Sequence, residues 1–149
     1  MVCLSAGRRA NAQLTILHHF AYRAGVEDGA YPSAGLMQGA DGNFYGPTSL
    51  RAGQTKDFEG TIFQITPAGV EKVIHRFTPR VGSNQPLISY NGSLVGISAG
   101  SGHHRYGKVF ALREARDGQW AVSDWYSFSS STTGSSPEAP LIEGSDGNL

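Results

Sequence analysis

Apolar and polar positions along this chain fall into short runs that recur in one fixed order. The first run is an apolar segment that closes on an aromatic, at residues 14–20, then 71–77, then 123–128. The second sets a glycine-centred turn between apolar residues, at 36–46, then 86–96, then 140–149. The third is Gly60-Thr61-Ile62-Phe63-Gln64-Ile65, answered by Gly107-Lys108-Val109-Phe110-Ala111-Leu112. Corresponding positions lie 47–57 residues apart. A repeat of about fifty residues carrying several short strands falls in the range of propeller blades.

Within each unit the runs predict four short strands in an antiparallel meander. Asp41-Gly42 and Asn91-Gly92, each between apolar flanks, are two-residue hairpin signals for a type I′ turn between the first and second strands. Residues 61–66 predict the third strand, with Phe63 and Ile65 on one face. Pro67-Ala68-Gly69 then turns it into the fourth strand, at 70–77. In the second unit Asp117-Gly118 turns 109–112 into 120–128. No stretch keeps a 3.6-residue apolar period with capping residues, so almost no helix is expected.

The expected fold is therefore all-β: β-propeller-like repeats of four-stranded antiparallel blades, incomplete, with units at 32–77 and 86–128. A lone strand of a preceding blade is expected at 14–20 and the start of a third repeat at 140–149. About two blades fall short of the roughly 4–8 that close a propeller, so the chain reads as a fragment of a longer protein with further repeats. In such a meander the tight turns share one end of the blade. The long segments 21–33, 50–59, 99–106 and 129–139 share the other, and binding residues collect on loop-rich ends.

Composition narrows the partners. Twelve Lys+Arg balance 12 Asp+Glu, so the basic excess needed for phosphate recognition is absent and no nucleic-acid partner is expected. No run approaches the roughly 18 apolar residues of a membrane span. The 20 glycines in 149 residues fit frequent turns, the usual share being roughly 7%. Cys3 is the single cysteine, which rules out an intrachain disulfide. Ala10-Asn11-Ala12 matches the small-residue pattern before a signal-peptidase cut, yet the apolar run ahead of Arg8-Arg9 is short. Residues 1–13 thus read either as a signal-peptide remnant or as an unstructured start.

The units resemble the Gloeobacter–Verrucomicrobia (GloVer) tandem repeat, whose members carry a D-G-N-x-Y-G run, then G-T-V-F-x-I, then an apolar strand ending in L-[YH]-x-F. The first unit supplies Asp41-Gly42-Asn43-Phe44-Tyr45-Gly46, Gly60-Thr61-Ile62-Phe63-Gln64-Ile65 and Ile74-His75-Arg76-Phe77. The second departs: Ser89-Tyr90-Asn91 replaces the acidic turn, Val95 replaces Tyr and Lys108 replaces Thr. The resemblance spans nearly all of 14–149. It implies an exported bacterial protein and carries over no catalytic residues.

Several motifs invite chemical readings that their context opposes. Gly96-Ile97-Ser98-Ala99-Gly100 matches the G-x-S-x-G elbow of hydrolases, but no helical run follows, and Gly96 has its repeat counterpart in Gly46. Residues 102–108 follow P-loop spacing, but Val109 stands where Ser or Thr belongs and again no helix follows. Asp41-Gly42-Asn43 and Asp146-Gly147-Asn148 lack the acidic ladder of a calcium loop. His18 and His75 each precede a Phe by two residues and Tyr126 holds that place in the third case, which predicts ring packing between blades with a rim hydrogen bond rather than metal binding. His103-His104 have no Cys or carboxylate at ligand spacing, which favours a solvated loop. No catalytic residue, metal or cofactor is expected.

The expected function is that of a non-enzymatic repeat protein, secreted or on the cell surface, binding a glycan or other cell-surface component through its loops. The candidate residues are Arg51, Lys56, His103, His104, Arg105 and Tyr106. The alternative is a carbohydrate-active enzyme, a lyase or glycosidase of propeller architecture whose active site lies partly outside this chain. A glycosidase needs two carboxylates roughly 5–10 Å apart, for which Asp57, Glu59, Glu27 and Asp28 are the candidates.

Overall fold

A computed structural model describes residues 14–21, 28–51, 60–78, 81–100, 102 and 105–149. The described residues form nine strands: β1 (Gly29–Pro32), β2 (Met37–Gln38), β3 (Phe44–Arg51), β4 (Thr61–Ile65), β5 (Glu71–Arg76), β6 (Ile88–Tyr90), β7 (Ser93–Ser98), β8 (Lys108–Glu114) and β9 (Trp120–Ser127). They make two antiparallel sheets. One runs β1-β3-β4-β5 with β2 also paired to β3, and the other runs β6-β7-β8-β9. The two sheets carry the two repeat units as meanders, β2 to β5 and β6 to β9. Among the described residues no helix is long and apolar enough to cross a membrane.

Register shows that the units are built alike. Gly46 faces Phe63 across the first sheet and Gly96 faces Phe110 across the second. A Cβ at Gly46 would fall 2.7 Å from Leu36 Cδ2 and 3.1 Å from Phe63 Cζ, and one at Gly96 2.7 Å from both Leu87 Cδ2 and Phe110 Cζ. The missing side chain is what lets a leucine and a phenylalanine close over the strand. A register shift also recurs at one place, between Ile62 and Phe63 and between Val109 and Phe110. It leaves Ile74 and Trp125 as the extra residues of a bulge, a device that bends and further twists a strand.

The core lies between the sheets. Tyr45, Ile62, Ile74 and Phe77 pack against Leu87, Leu94, Phe110 and Leu112, with Met37, Val81, Trp120 and Val122 at the margin. Strand alternation then turns Phe63 to the opposite face of the first sheet, where its ring meets Phe20 at 4.8 Å. β4 is accordingly buried on both faces, whereas β9 leaves Trp125 and Tyr126 each 44% exposed on the outer side of the second sheet.

Four expectations change. The Asn91-Gly92 turn is type I′, with φ of 48° and 72°, and pairs Tyr90 with Ser93. Asp41-Gly42 is not: only Gly42 has positive φ, at 81°, and Gly39 N donates to Asn43 O at 2.8 Å while Gly42 N donates to Gly39 O at 3.0 Å. That is a three-residue loop, a type I turn closed by a left-handed glycine. Its cause is the Asp41 carboxylate, which accepts from Asn43 N at 3.2 Å and holds Asp41 in the right-handed region. The segment 21–33, expected as a loop, contains β1, which pairs with the far half of β3, so the first sheet begins before residue 32.

The other two changes concern the flanks. Residues 14–20 carry no strand pairing, although they pack on the first sheet. In residues 140–149 only the turn forms. Gly144 N donates to Asn148 O at 2.7 Å and Gly147 N to Gly144 O at 3.0 Å, a copy of the Gly39–Asn43 loop with no strand on either side. The architecture shown is two stacked antiparallel sheets and not a closed propeller.

Candidate functional site

At one end of the sheets Gly60, just before β4, meets the segment that runs from β5 to β6. Backbone contact there is close. Gly60 N donates to Val81 O at 2.9 Å and Phe77 N to Gly60 O at 3.0 Å, and a Cβ on Gly60 would fall 2.7 Å from Gly82 Cα. Serines fix that segment: Ser98 Oγ donates to Gly82 O at 2.7 Å and Ser33 Oγ to Ser83 O at 3.2 Å. These bonds hold open a cleft of about 460 Å³ between the two units, lined by Ser49, Val81, Gly82, Asn84, Gln85, Ile97, Ala99, Pro137 and Glu138. Its lining includes two amide residues, a hydroxyl residue and a carboxylate residue beside the apolar Val81, Ile97, Ala99 and Pro137.

The six candidate residues relate to this cleft unevenly. Arg51 is the last residue of β3, its backbone paired with Gly29, instead of lying in a loop, because β1 extends the ladder to it. Lys56, His103 and His104 lie outside the described residues, as do Glu27, Asp57 and Glu59. Arg105 is exposed and held at φ 62°, with its N–H donating to Gly102 O at 3.2 Å. Tyr106 is 41% exposed, and its carbonyl accepts from Ser136 N at 2.7 Å. That bond ties its loop to the segment that supplies Pro137 and Glu138. The cleft residues Asn84, Gln85 and Glu138 escaped the sequence reading because nothing in their local pattern separates them from ordinary loop polar residues.

The G-x-S-x-G motif resolves as structure. Ser98 is fully buried at the end of β7 and its hydroxyl is engaged by Gly82 O, so no serine nucleophile is presented. The Asp41-Gly42-Asn43 turn likewise spends its carboxylate locally. Asp41 Oδ2 accepts from Tyr45 OH at 2.7 Å and Asn43 Nδ2 at 2.6 Å, and Gln64 Nε2 donates to Tyr45 OH at 2.8 Å. Burial, then the bond to Asp41, push the Tyr45 phenol up to about 12. At Asp41 burial acts upward, but the bonds from Tyr45 and Asn43 together outweigh it and hold the carboxyl below its ordinary value.

The recurring histidines pack on the phenylalanine two residues further along their own segment, instead of between blades as expected, and the phenylalanines make the contact between units. His18 meets Phe20 edge-on at 4.7 Å, His75 meets Phe77 at 4.7 Å, and Tyr126 meets Phe128 at 5.1 Å. Phe20 then lies on Phe63 and Phe77 on Phe110 at 5.3 Å, so these two phenylalanines, at matching repeat positions, each pack on the third strand of the unit that follows. Beyond that the two junctions diverge. Beside His75 stands the Lys108–Asp124 pair, with Nζ and Oδ1 2.6 Å apart. Burial, then the Lys108 charge, bring His75 down to about 4 against the smaller opposing pull of Asp124. Beside His18 stand two carboxylates: His18 Nε2 lies 3.0 Å from Asp28 Oδ2, and Glu71 completes a group whose ligand atoms all lie within 4.8 Å of one another. Burial, then the Asp28 charge, push Glu71 up to about 7, with His18 and Arg76 acting the other way.

Comparison with known families adds one match: the model described as Gloeobacter/Verrucomicrobia repeat covers residues 6–149. No curated protein and no solved structure matches the chain.

Proposed function

We propose, from the premise that the chain belongs to the Gloeobacter/Verrucomicrobia repeat family, that it is a non-enzymatic protein of the cell surface or secreted fraction whose propeller-type blades present their loop-rich end to a glycan. The observation that carries this reading is the cleft between the units. It is concave, of the size of small-ligand sites, and combines the apolar Val81, Ile97 and Ala99 with the polar Asn84, Gln85, Ser49 and Glu138. Amides and a carboxylate beside apolar surface match the hydroxyls and ring faces of a sugar. Glu138 is the single carboxylate of that lining among the described residues, one short of the pair that glycoside hydrolysis uses.

The test is binding of the full chain to a panel of bacterial and host glycans, with Asn84→Ala/Gln85→Ala and Arg105→Ala/Tyr106→Ala as variants. The expected result is retention of a glycan by the wild type and its loss in the first variant, with a smaller effect in the second. Equal retention by wild type and the Asn84/Gln85 variant rejects the cleft. Release of reducing ends or unsaturated sugars, abolished by Glu138→Gln, rejects the non-enzymatic reading in favour of the carbohydrate-active alternative.

A further inference from the structure

We infer that the junction between residues 14–21 and the first sheet is a divalent metal site, with His18, Asp28 and Glu71 as its protein ligands and Zn²⁺ as the fitting ion. One imidazole nitrogen and two carboxylate oxygens gather within 4.8 Å. The 3.0 Å between His18 Nε2 and Asp28 Oδ2 is close to the separation of neighbouring ligands about an ion bound at roughly 2.0–2.2 Å. A nitrogen with two carboxylates suits Zn²⁺ better than the all-oxygen sets of Ca²⁺ or Mg²⁺. Three protein ligands also leave a fourth position for water.

A second observation points to a ligand. Asp28 is only 5% exposed, and its Oδ1 has no hydrogen-bond partner among the described residues; Glu71 Oε1, also buried, has none either. Buried carboxylates are normally paired or metal-bound. Asp28 is also oriented as ligands usually are, with Ala21 N donating to Oδ2 at 3.3 Å.

The homologous junction supplies the contrast. By register Lys108 stands in the second sheet where Thr61 stands in the first, opposite Ser98 and Thr48 respectively. Lys108 brings a cation to its junction and binds Asp124. Thr61 brings none to the first junction, where, among the described residues, Arg76 and His18 act on Glu71 against Asp28 and two carboxylates stand side by side. A bound divalent ion would do for the first junction what Lys108 does for the second.

The experiment is titration of the metal-stripped, untagged full chain with Zn²⁺ against a chromophoric chelator, with thermal melts in parallel. The expected result is one equivalent bound, a melting temperature raised by about 5 °C at a hundredfold excess over Kd, and affinity lowered about 100-fold or more in Asp28→Asn and Glu71→Gln, since even outer-shell changes cost 10–100-fold. His18→Tyr places at this junction the residue that Tyr126 already supplies elsewhere, and keeps the ring contact with Phe20. It is expected to fold with an unchanged circular dichroism spectrum and to lose the zinc. His103→Ala/His104→Ala is expected to keep it. Absence of binding, binding untouched by His18→Tyr, or loss of binding in the His103/His104 variant would each overturn the proposal.

Discussion

The two sheets have one plan and different chemistry, and the differences travel in groups. In the first unit Asp41, Tyr45 and Gln64 form a hydrogen-bonded set across β3 and β4. In the second, Val95 faces Ala111 at the positions of Tyr45 and Gln64, and the three-residue acidic turn shortens to Asn91-Gly92. The interval from Leu36 to Gly46 is ten positions and from Leu87 to Gly96 nine, which is the length of that one turn residue. A tyrosine hydroxyl buried without its acid would be an unsatisfied donor, which is a physical reason for the acid and the phenol to be absent together from the second unit. What does not vary is the apolar frame: the glycine under a leucine and a phenylalanine, the bulge, and the third-strand phenylalanine that receives a ring from the preceding segment.

The largest effect is expected at that frame. Phe110 is fully buried at the contact with Phe77, and Phe110→Ala should cost about 3–5 kcal/mol, a large fraction of the roughly 5–15 kcal/mol of a folded domain. Urea melts check it. A cost below 1 kcal/mol would mean that the sheets do not depend on each other.

Exchanging the chemistry of the two units should cost less and should be asymmetric. Tyr45→Phe removes a bond to a carboxylate and is expected to cost about 1–2 kcal/mol. Val95→Tyr places a larger ring and an unpartnered hydroxyl at a fully buried position, costing about 2–3 kcal/mol. If both exchanges proved neutral, the grouping of differences would have no energetic basis.

The smallest effect concerns acid. His75 is held down to about 4 by burial and by Lys108, against an ordinary value near 6.5. The native state therefore binds this proton less readily than the unfolded chain. Its contribution to stability is full above about pH 6.5 and is lost as pH falls toward 4. The melting temperature should drop more between pH 7 and 5 in the wild type than in His75→Tyr, which carries the Tyr126 solution with Lys108 and Asp124 unchanged. Equal drops would place the acid sensitivity elsewhere.

Much of this frame was legible in the residues. Glycine-centred turns and alternating apolar runs report local backbone and burial directly, so the eight strands of the two meanders could be read from spacing. The Asp41 turn was misjudged by one residue because Asp-Gly suits two loops, and the choice between them rests on whether Asn43 N reaches the carboxylate. β1 was missed because Gly29-Ala30-Tyr31-Pro32 has no alternation and lies in a long connection. Neither the cleft nor the His18–Asp28–Glu71 group was visible, since each is assembled by the packing of separate segments and not by any local pattern. The sequence offers Asp28 only as one acid of a catalytic pair, and nothing around Glu71 marks it as different from any strand-edge glutamate.

The central claim is that the first unit is held on the second by Phe77, which follows its fourth strand and packs on Phe110 of the third strand of the next. A double-mutant cycle on Phe77→Leu and Phe110→Leu tests it most directly. The rings are 5.3 Å apart at 77°, an edge-to-face geometry worth about 0.5–1.5 kcal/mol beyond burial. Coupling of that size is the predicted result, and single substitutions that add to within about 0.3 kcal/mol would contradict it.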